Sequence, residues 1–353
     1  MRTLHVIGSK RPGGAEGFFV RLVQAMRADG QDALVIAPPR SAVAEALAAE
    51  VPRTEVRMRG HWDPLARLQI RRVIAESGPE VVMTYLGRAT RLVRLPAGRR
   101  PVHVARLGGY YNPRQYRHAH AWVGNTRGIC DYLVKNGFDP ARVFHIPNFV
   151  DPPAPVAAQE AAAVRAELAL PPDARVLLAL GRLHMVKGFD VLLRAFAALP
   201  ARDRGVLVIL GEGAERESLQ ALARSLGVEG SVRLPGWRSE LAPYFALADV
   251  LVCPSRAEPF GNVLLDAWNH GVPLVATRTA GALELIEDGK DGWLVAVEDP
   301  WDLRRVLEEV FKAADAERAA RIAAGRAKLA ACYSRRSVVA AYGSLFARLT
   351  AGL

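Results

Sequence analysis

Between Asp249 and Thr277 the sequence reads DVLVCPSRAEPFGNVLLDAWNHGVPLVAT. An apolar run ending at Cys253 gives way to a loop carrying proline and glycine, then to a helical stretch, NVLLDAWNHG, and then to a second apolar run, PLVAT. Strand, helix and strand in so short a span is the grammar of a parallel sheet covered by helices. The stretch also sets Glu258 in the loop and Asp266 inside the following helix, with Phe260-Gly261-Asn262 between them.

The same grammar runs outward in both directions. Toward the C-terminal side of the chain's middle it gives RVLLALG, helix GFDVLLRAFAAL, VLVILGEG, helix AERESLQALARSLG, SVRLPG, helix SELAPYFALA, and past the opening stretch helix ALELIEDG and WLVAV. The first half gives TLHVIG, a helix from about Ala15 to Ala28, DALVIA, TEVRM, a helix near Pro64–Glu76, EVVMTY, VHVARL, AWVGN and VFHIP. DPPAP (Asp151–Pro155) and PPD (Pro171–Asp173) interrupt the pattern where proline removes amide donors, so the hinge is expected there. The expectation is two doubly wound α/β domains facing a central cleft, residues 1–152 joined by a last helix at about 335–353, and residues 153–334. That last helix, SRRSVVAAYGSLFARL, repeats apolar residues at helical spacing and should pack on the first domain.

Length and composition agree. A chain of 353 residues exceeds most single cores, and half its residues are hydrophobic. Cys130, Cys253 and Cys332 are an odd number without metal-ligand spacing, which predicts reduced thiols and a cytoplasmic setting. No signal peptide or spanning segment is expected. The net charge of +11 is uneven: residues 1–150 hold 23 Lys and Arg against 11 Asp and Glu, and the remainder is nearly neutral.

Candidate chemistry gathers in the loops after the strands. Arg182 and Lys187 follow RVLLALG and sit beside the start of a helix, so together they could hold a diphosphate; as isolated loop charges they would merely be solvated. Gly211 and Gly213 form a strand-to-helix turn, structural first, with Gly213 a backbone neighbour for a base or ribose. Amides of Gly261, Asn262 and Val263, after Phe260, open the helix that carries Asp266 and could meet phosphate or sugar oxygens. Glu258 and Asp266 could each simply complement a helix dipole; on one sheet edge with two cations they look like acceptors for sugar hydroxyls and a vicinal diol. Gly13 and Gly14 follow the first strand in a turn lacking G-x-G-x-x-G, which argues against a dinucleotide enzyme.

GRLHMVKGFDVLLRAF, GEGAERESLQALA, the run from LPGWRSE through EPFGNVLLDAWNHGVPLVATRTAG to DGWLV, GGAEGFFVRLVQAM and HIPNFVD together resemble the retaining GT-B glycosyltransferases of family 4. The resemblance implies a hexose moved from a nucleotide sugar, UDP-linked first and GDP-mannose second, to a glycan or lipid-linked glycan of lipopolysaccharide type, with no metal or cofactor. It implies that Glu258 contacts the donor sugar and Asp266 the ribose, and that Arg182 and Lys187 hold the diphosphate. Gly13 and Gly14 would close over phosphates and acceptor from the other domain. Trp237 and Arg238 could contribute to the base, and Arg106, Gly108, Gly109 and Tyr110 would line the acceptor side. Asp266 stands where the family usually has glutamate, and Leu107 where many members carry histidine; His103, His118 and His120 are the nearby alternatives.

The basic first half would suit anionic headgroups or a phosphorylated glycan, at up to about 1 kcal/mol per residue near a charged membrane, hence a peripheral enzyme at the cytoplasmic face. The plainer account is arginines solvating helices. A sugar-nucleotide epimerase of the same architecture and a non-catalytic sugar-nucleotide binder are the rival readings; nucleic acid is not expected as a partner, because no recognition motif accompanies the charge.

Overall fold

The computed structural model describes residues 1–10 and 13–351, leaving aside the side chains of residues 202 and 203. The chain forms two compact units, Met1–Phe149 with Cys332–Leu353, and Val150–Ala331.

Unit 1 holds β1 (Arg2–Ile7), β2 (Asp32–Ala37), β3 (Arg53–Glu55), β4 (Val81–Tyr85), β5 (Val102–Leu107), β6 (Ala121–Gly124) and β7 (Val143–His145), all parallel, in the order β3-β2-β1-β4-β5-β6-β7. Helices α1 (Gly14–Ala28), α2 (Ala42–Ala46), α3 (Pro64–Ser77), α4 (Leu86–Leu92) and α5 (Arg127–Lys135) make the crossovers. Strand order reverses between β1 and β4, the switch point of a doubly wound sheet. β4 and β5 are buried throughout, which is why they read as largely apolar runs, with buried His103 and Arg106 the exceptions in β5. The helix ends follow local chemistry: Asp63 caps α3 through the Ala66 amide and Thr126 caps α5 through that of Ile129.

Unit 2 repeats the plan with β8 (Val176–Leu180), β9 (Val206–Leu210), β10 (Val232–Gly236), β11 (Val250–Cys253), β12 (Leu274–Thr277) and β13 (Trp293–Val295), parallel in the order β10-β9-β8-β11-β12-β13. Its helices are α6 (Ala158–Glu167), α7 (Phe189–Ala197), α8 (Ala201–Arg204), α9 (Arg216–Ser225), α10 (Ala242–Leu247), α11 (Asn262–His270), α12 (Ala280–Leu285), α13 (Pro300–Lys312) and α14 (Asp315–Cys332). The opening stretch of sequence is β11, α11 and β12. Leu192, Leu193 and Phe196 of α7 meet Leu303, Val306 and Leu307 of α13 in the core over this sheet.

The chain then returns to unit 1 as α15 (Arg335–Thr350). Val338, Val339, Tyr342, Leu345 and Phe346 enter the core formed by Phe18, Phe19, Leu22 and Val23 of α1. Each is buried, and full burial of such a side chain stabilises by about 1.5–3 kcal/mol. All three cysteines are thiols. Among the described residues no helix is long and apolar enough to cross a membrane.

Candidate functional site

Because the strands of unit 2 are parallel, the loops leaving their C-terminal ends share one edge. In the order β10, β9, β8, β11 those loops carry Trp237 and Arg238; Gly211 to Gly213; Arg182 to Gly188; and Pro254 to Val263. The loop residues expected to hold a nucleotide sugar in this half therefore lie at a single rim, with Asp266 in the helix that starts from it.

Backbone contact makes the glycines obligatory. The Gly181 amide donates to the Leu210 carbonyl and the Gly211 amide to that of Gly236. A Cβ on Gly211, whose φ is +145°, would lie 1.9 Å from the Gly181 oxygen, and one on Gly213 would lie 2.1 Å from that of Leu183. No side chain fits either approach. Gly213 thus brings the β9 loop against the β8 loop, leaving the rim floor as bare backbone.

On this floor Lys187 Nζ donates to Glu258 Oε2, a pair whose side chains are 24% and 15% exposed. The two loops that present it are locked together. Gly188, in the left-handed region at φ +65°, lets the 185–187 turn approach until an added Cβ would stand 2.0 Å from the Pro254 oxygen. Arg256 completes the lock: its amide donates to Val186 O at 2.8 Å, and its guanidinium donates to Met185 O at 2.7 Å, to both Asp190 oxygens at 2.8 and 2.9 Å, and to Glu298 at 2.7 Å. The hydrogen bonds from Arg256 hold the Asp190 carboxyl below its usual range. Sequence reading missed Arg256. Its partners lie 66 and 42 residues away, and only its place two residues before Glu258 could have drawn notice.

The other candidates divide. Arg182 is exposed, and none of its groups forms an ion pair among the described residues. Gly261, left-handed at φ +90°, begins α11, whose fifth residue is Asp266, half-buried. The Gly281 amide donates to Glu258 O, and an added Cβ there would stand 2.3 Å from Phe260 O, so α12 props the loop from behind. The Phe260 ring is buried, so its side chain packs and only its backbone borders the rim. Arg238 spends its donors on Tyr244, Pro235 O and Glu167, which makes it a brace for the turn; Trp237 beside it is 64% exposed.

In unit 1, Gly13 and Gly14 follow β1, while Gly108, Gly109 and Tyr110 follow β5, at the C-terminal edge of that sheet. Tyr110 is exposed and packs edge-on against Tyr132. Arg106 is not on that surface, which corrects the expectation that its side chain lines an open acceptor face. Only 3% exposed, it lies 3.8 Å over the Phe18 ring, donates from Nε to Tyr342 Oη at 3.0 Å and reaches Asn148 Oδ1. Leu107 is fully buried. The alternative histidines are structural as well: His103 bonds Thr84 at 2.9 Å, while His118 and His120 face the carbonyls of Thr90, Val93 and Leu95. Burial pushes all three imidazoles below their ordinary range, so they stay neutral.

Comparison with known proteins converges on one family. A family model for glycosyl transferases group 1 matches residues 174–313, and one for Glycosyltransferase Family 4 matches residues 12–153. The lipopolysaccharide core biosynthesis glycosyltransferase LpsE of Rhizobium meliloti (strain 1021) is 34% identical over 342 residues, 96% of each chain. Among solved structures, HepE of Anabaena in complex with UDP and glucose superposes with a TM-score of 0.83 at 20% identity, covering 99% of this chain and 100% of that one. WaaG, a glycosyltransferase involved in lipopolysaccharide biosynthesis, superposes at 0.72 and 19%, covering 95% and 98%. At such identities the structural likenesses establish the fold, two Rossmann-like domains of the GT-B class, and the sequence matches establish the rest: the chain belongs to the family 4, group 1 glycosyltransferases.

Proposed function

We propose that this glycosyltransferase moves a hexosyl group from a nucleoside-diphosphate sugar, UDP-linked in the first instance and GDP-mannose in the second, to a glycan or lipid-linked glycan of lipopolysaccharide type. The observation that carries the reading is the Lys187–Glu258 pair on a floor of bare backbone. A cation and an anion held on each other are both satisfied without ligand, and a diphosphate bonded to a hexose offers each a replacement. Phosphate oxygens take Lys187 and Arg182, and the sugar hydroxyls take Glu258. Asp266 accepts from the ribose diol, and the amides at the start of α11 and the Gly213 backbone border the rest.

The leaving group gains negative charge as the glycosidic bond breaks, so cations fixed at its departure point stabilise the transition state more than the ground state. We assign the reaction retention of configuration, with the acceptor oxygen arriving on the face the phosphate leaves and its proton passing to a departing phosphate oxygen. That route asks for no metal ion, cofactor or side-chain base, in keeping with a buried Leu107 and neutral, inward-facing histidines. The acceptor class rests on LpsE and its printed role in lipopolysaccharide core biosynthesis. A cytoplasmic, peripheral position at the membrane is supported by Trp62, Leu65 and Leu68, 69%, 66% and 66% exposed at the start of α3 among arginines.

Thermal unfolding with UDP, GDP or ADP tests the donor site. A ligand at 100 times its Kd adds roughly 2.7 kcal/mol of stability. Stabilisation by one nucleotide, abolished in Lys187→Ala, is expected; no shift with any nucleotide would refute the reading, and sugar product formed without acceptor would identify an epimerase instead.

A further inference from the structure

At the C-terminal edge of the unit 1 sheet, away from the glycines and tyrosine already considered, Lys10, Arg40, Arg57 and Arg59 line one cavity of about 360 Å³, with Pro39 and Met58 completing its wall. The topology explains their meeting. Lys10 follows β1, Arg40 follows β2, and Arg57 and Arg59 follow β3, and these three strands are parallel neighbours. Residues scattered over fifty positions therefore converge where doubly wound sheets bind ligands.

None of the four cations forms an ion pair among the described residues, in contrast to Arg2, which pairs with Asp32, and Arg72, which pairs with Glu76. Asp63 is the carboxylate that faces Arg59, and its oxygens accept from the Arg59 and Ala66 amides, capping α3. The walls are fixed: Arg88 Nη1 donates to Gly8 O at 3.0 Å and to Met58 O at 3.3 Å, tying the loop after β1 to the loop after β3. Arg40 itself sits at φ +50°, a left-handed backbone that a non-glycine residue seldom adopts. Four like charges gathered in a braced concavity make its potential positive, which favours an anion there.

We propose that this pocket binds a phosphate group carried by the acceptor glycan. A phosphomonoester offers three oxygens to forked guanidinium donors, and a cavity of this size admits it with its saccharide attached. The identity of the phosphate's carrier rests on the transferase reading above; the anion affinity of the pocket does not, and the two are tested apart. The probe is mannose 6-phosphate, followed by isothermal titration calorimetry of the full chain in the presence of saturating UDP, with mannose and with vesicles of phosphatidylglycerol and phosphatidylcholine as parallel arms. Wild type should bind mannose 6-phosphate and not mannose. Arg57→Ala/Arg59→Ala should weaken it more than tenfold while leaving UDP binding unchanged, and Lys187→Ala should do the reverse. Lys10→Gln/Arg40→Gln, which keeps bulk, provides a second variant if the first unfolds. Equal affinity in wild type and both double variants would overturn the proposal. So would salt-sensitive vesicle binding lost in the variants without any affinity for mannose 6-phosphate, which would assign the pocket to a lipid headgroup.

Discussion

Arg256→Ala should damage both the stability of unit 2 and its donor site, in amounts set by the exposure of each bond lost. The bond to Glu298, whose side chain is 63% exposed, is of surface kind and contributes roughly 0–1 kcal/mol. The fork onto Asp190, 38% exposed, shares its Nη1 with the Met185 carbonyl and is worth about 1–2 kcal/mol after solvent screening. A total of about 1–3 kcal/mol corresponds to a melting shift of about 2–12 °C for a unit of this size. Turnover should fall further than stability suggests, because the 185–187 turn loses its tether and a displacement of 1 Å can cost about 100-fold. Arg256→Lys, which keeps the charge and loses the fork, should recover only part of each. The pH dependence has a definite sign. The Asp190 carboxyl is held below its ordinary value, so its contribution is present above about pH 4 and is lost as pH falls through the lowered folded value; in Arg256→Ala that loss should shrink, since Arg256 is its largest cause. Calorimetry between pH 3 and 7 with steady-state kinetics checks both. A melting point within 1 °C of wild type together with unchanged turnover would refute the claim that Arg256 sets the position of Lys187.

Two further outcomes follow from unit 1. Tyr342→Phe removes the hydroxyl that accepts from buried Arg106 and should cost about 1–3 kcal/mol; amide exchange should accelerate in β5 and α15 while β8 to β13 stay protected, and uniform acceleration would count against the assignment. His5, fully buried between Thr3 and Tyr85, is lowered by desolvation to about 3. Its folded value lies below its unfolded one, so stability is complete above pH 6.5 and declines toward pH 3 at up to about 1.4 kcal/mol per pH unit; urea unfolding of His5→Gln should show that slope reduced, and an unaltered slope would place the effect elsewhere.

The sheets were legible because their central strands are buried on both faces and read as largely apolar runs between glycine and proline. Helices α2, α4 and α5 of unit 1 and α8, α13 and α14 of unit 2 were not picked out. Of these α2, α4 and α8 are short, and α5, with Ile129 and Leu133 as its buried residues, has too thin an apolar stripe to stand out from a loop. In the site, Lys187 and Glu258 could be named in advance since charge beside glycine at the end of a strand is a local pattern. The role of Arg256 depends on contacts far apart in the chain, and local pattern carries no trace of them. Arg106 shows the opposite failure. An arginine at the end of a strand invites a surface reading, but Tyr342, Asn148 and Phe18, from three distant segments, close around it. The cavity of Lys10, Arg40, Arg57 and Arg59 escaped for the same reason, as no window of sequence contains all four.

The route by which α15 reaches its place has a consequence for how the chain is made. Unit 2 is one contiguous segment, so its fold is complete in the nascent polypeptide once that segment has left the ribosome. Unit 1 is synthesised first and finished last. Until Tyr342 and Phe346 emerge, Phe18 and Phe19 have no cover on that side and Arg106 lacks its hydroxyl acceptor, although every strand of the sheet beneath them was translated long before. The half expected to meet the acceptor therefore matures only after the whole of unit 2 has been made.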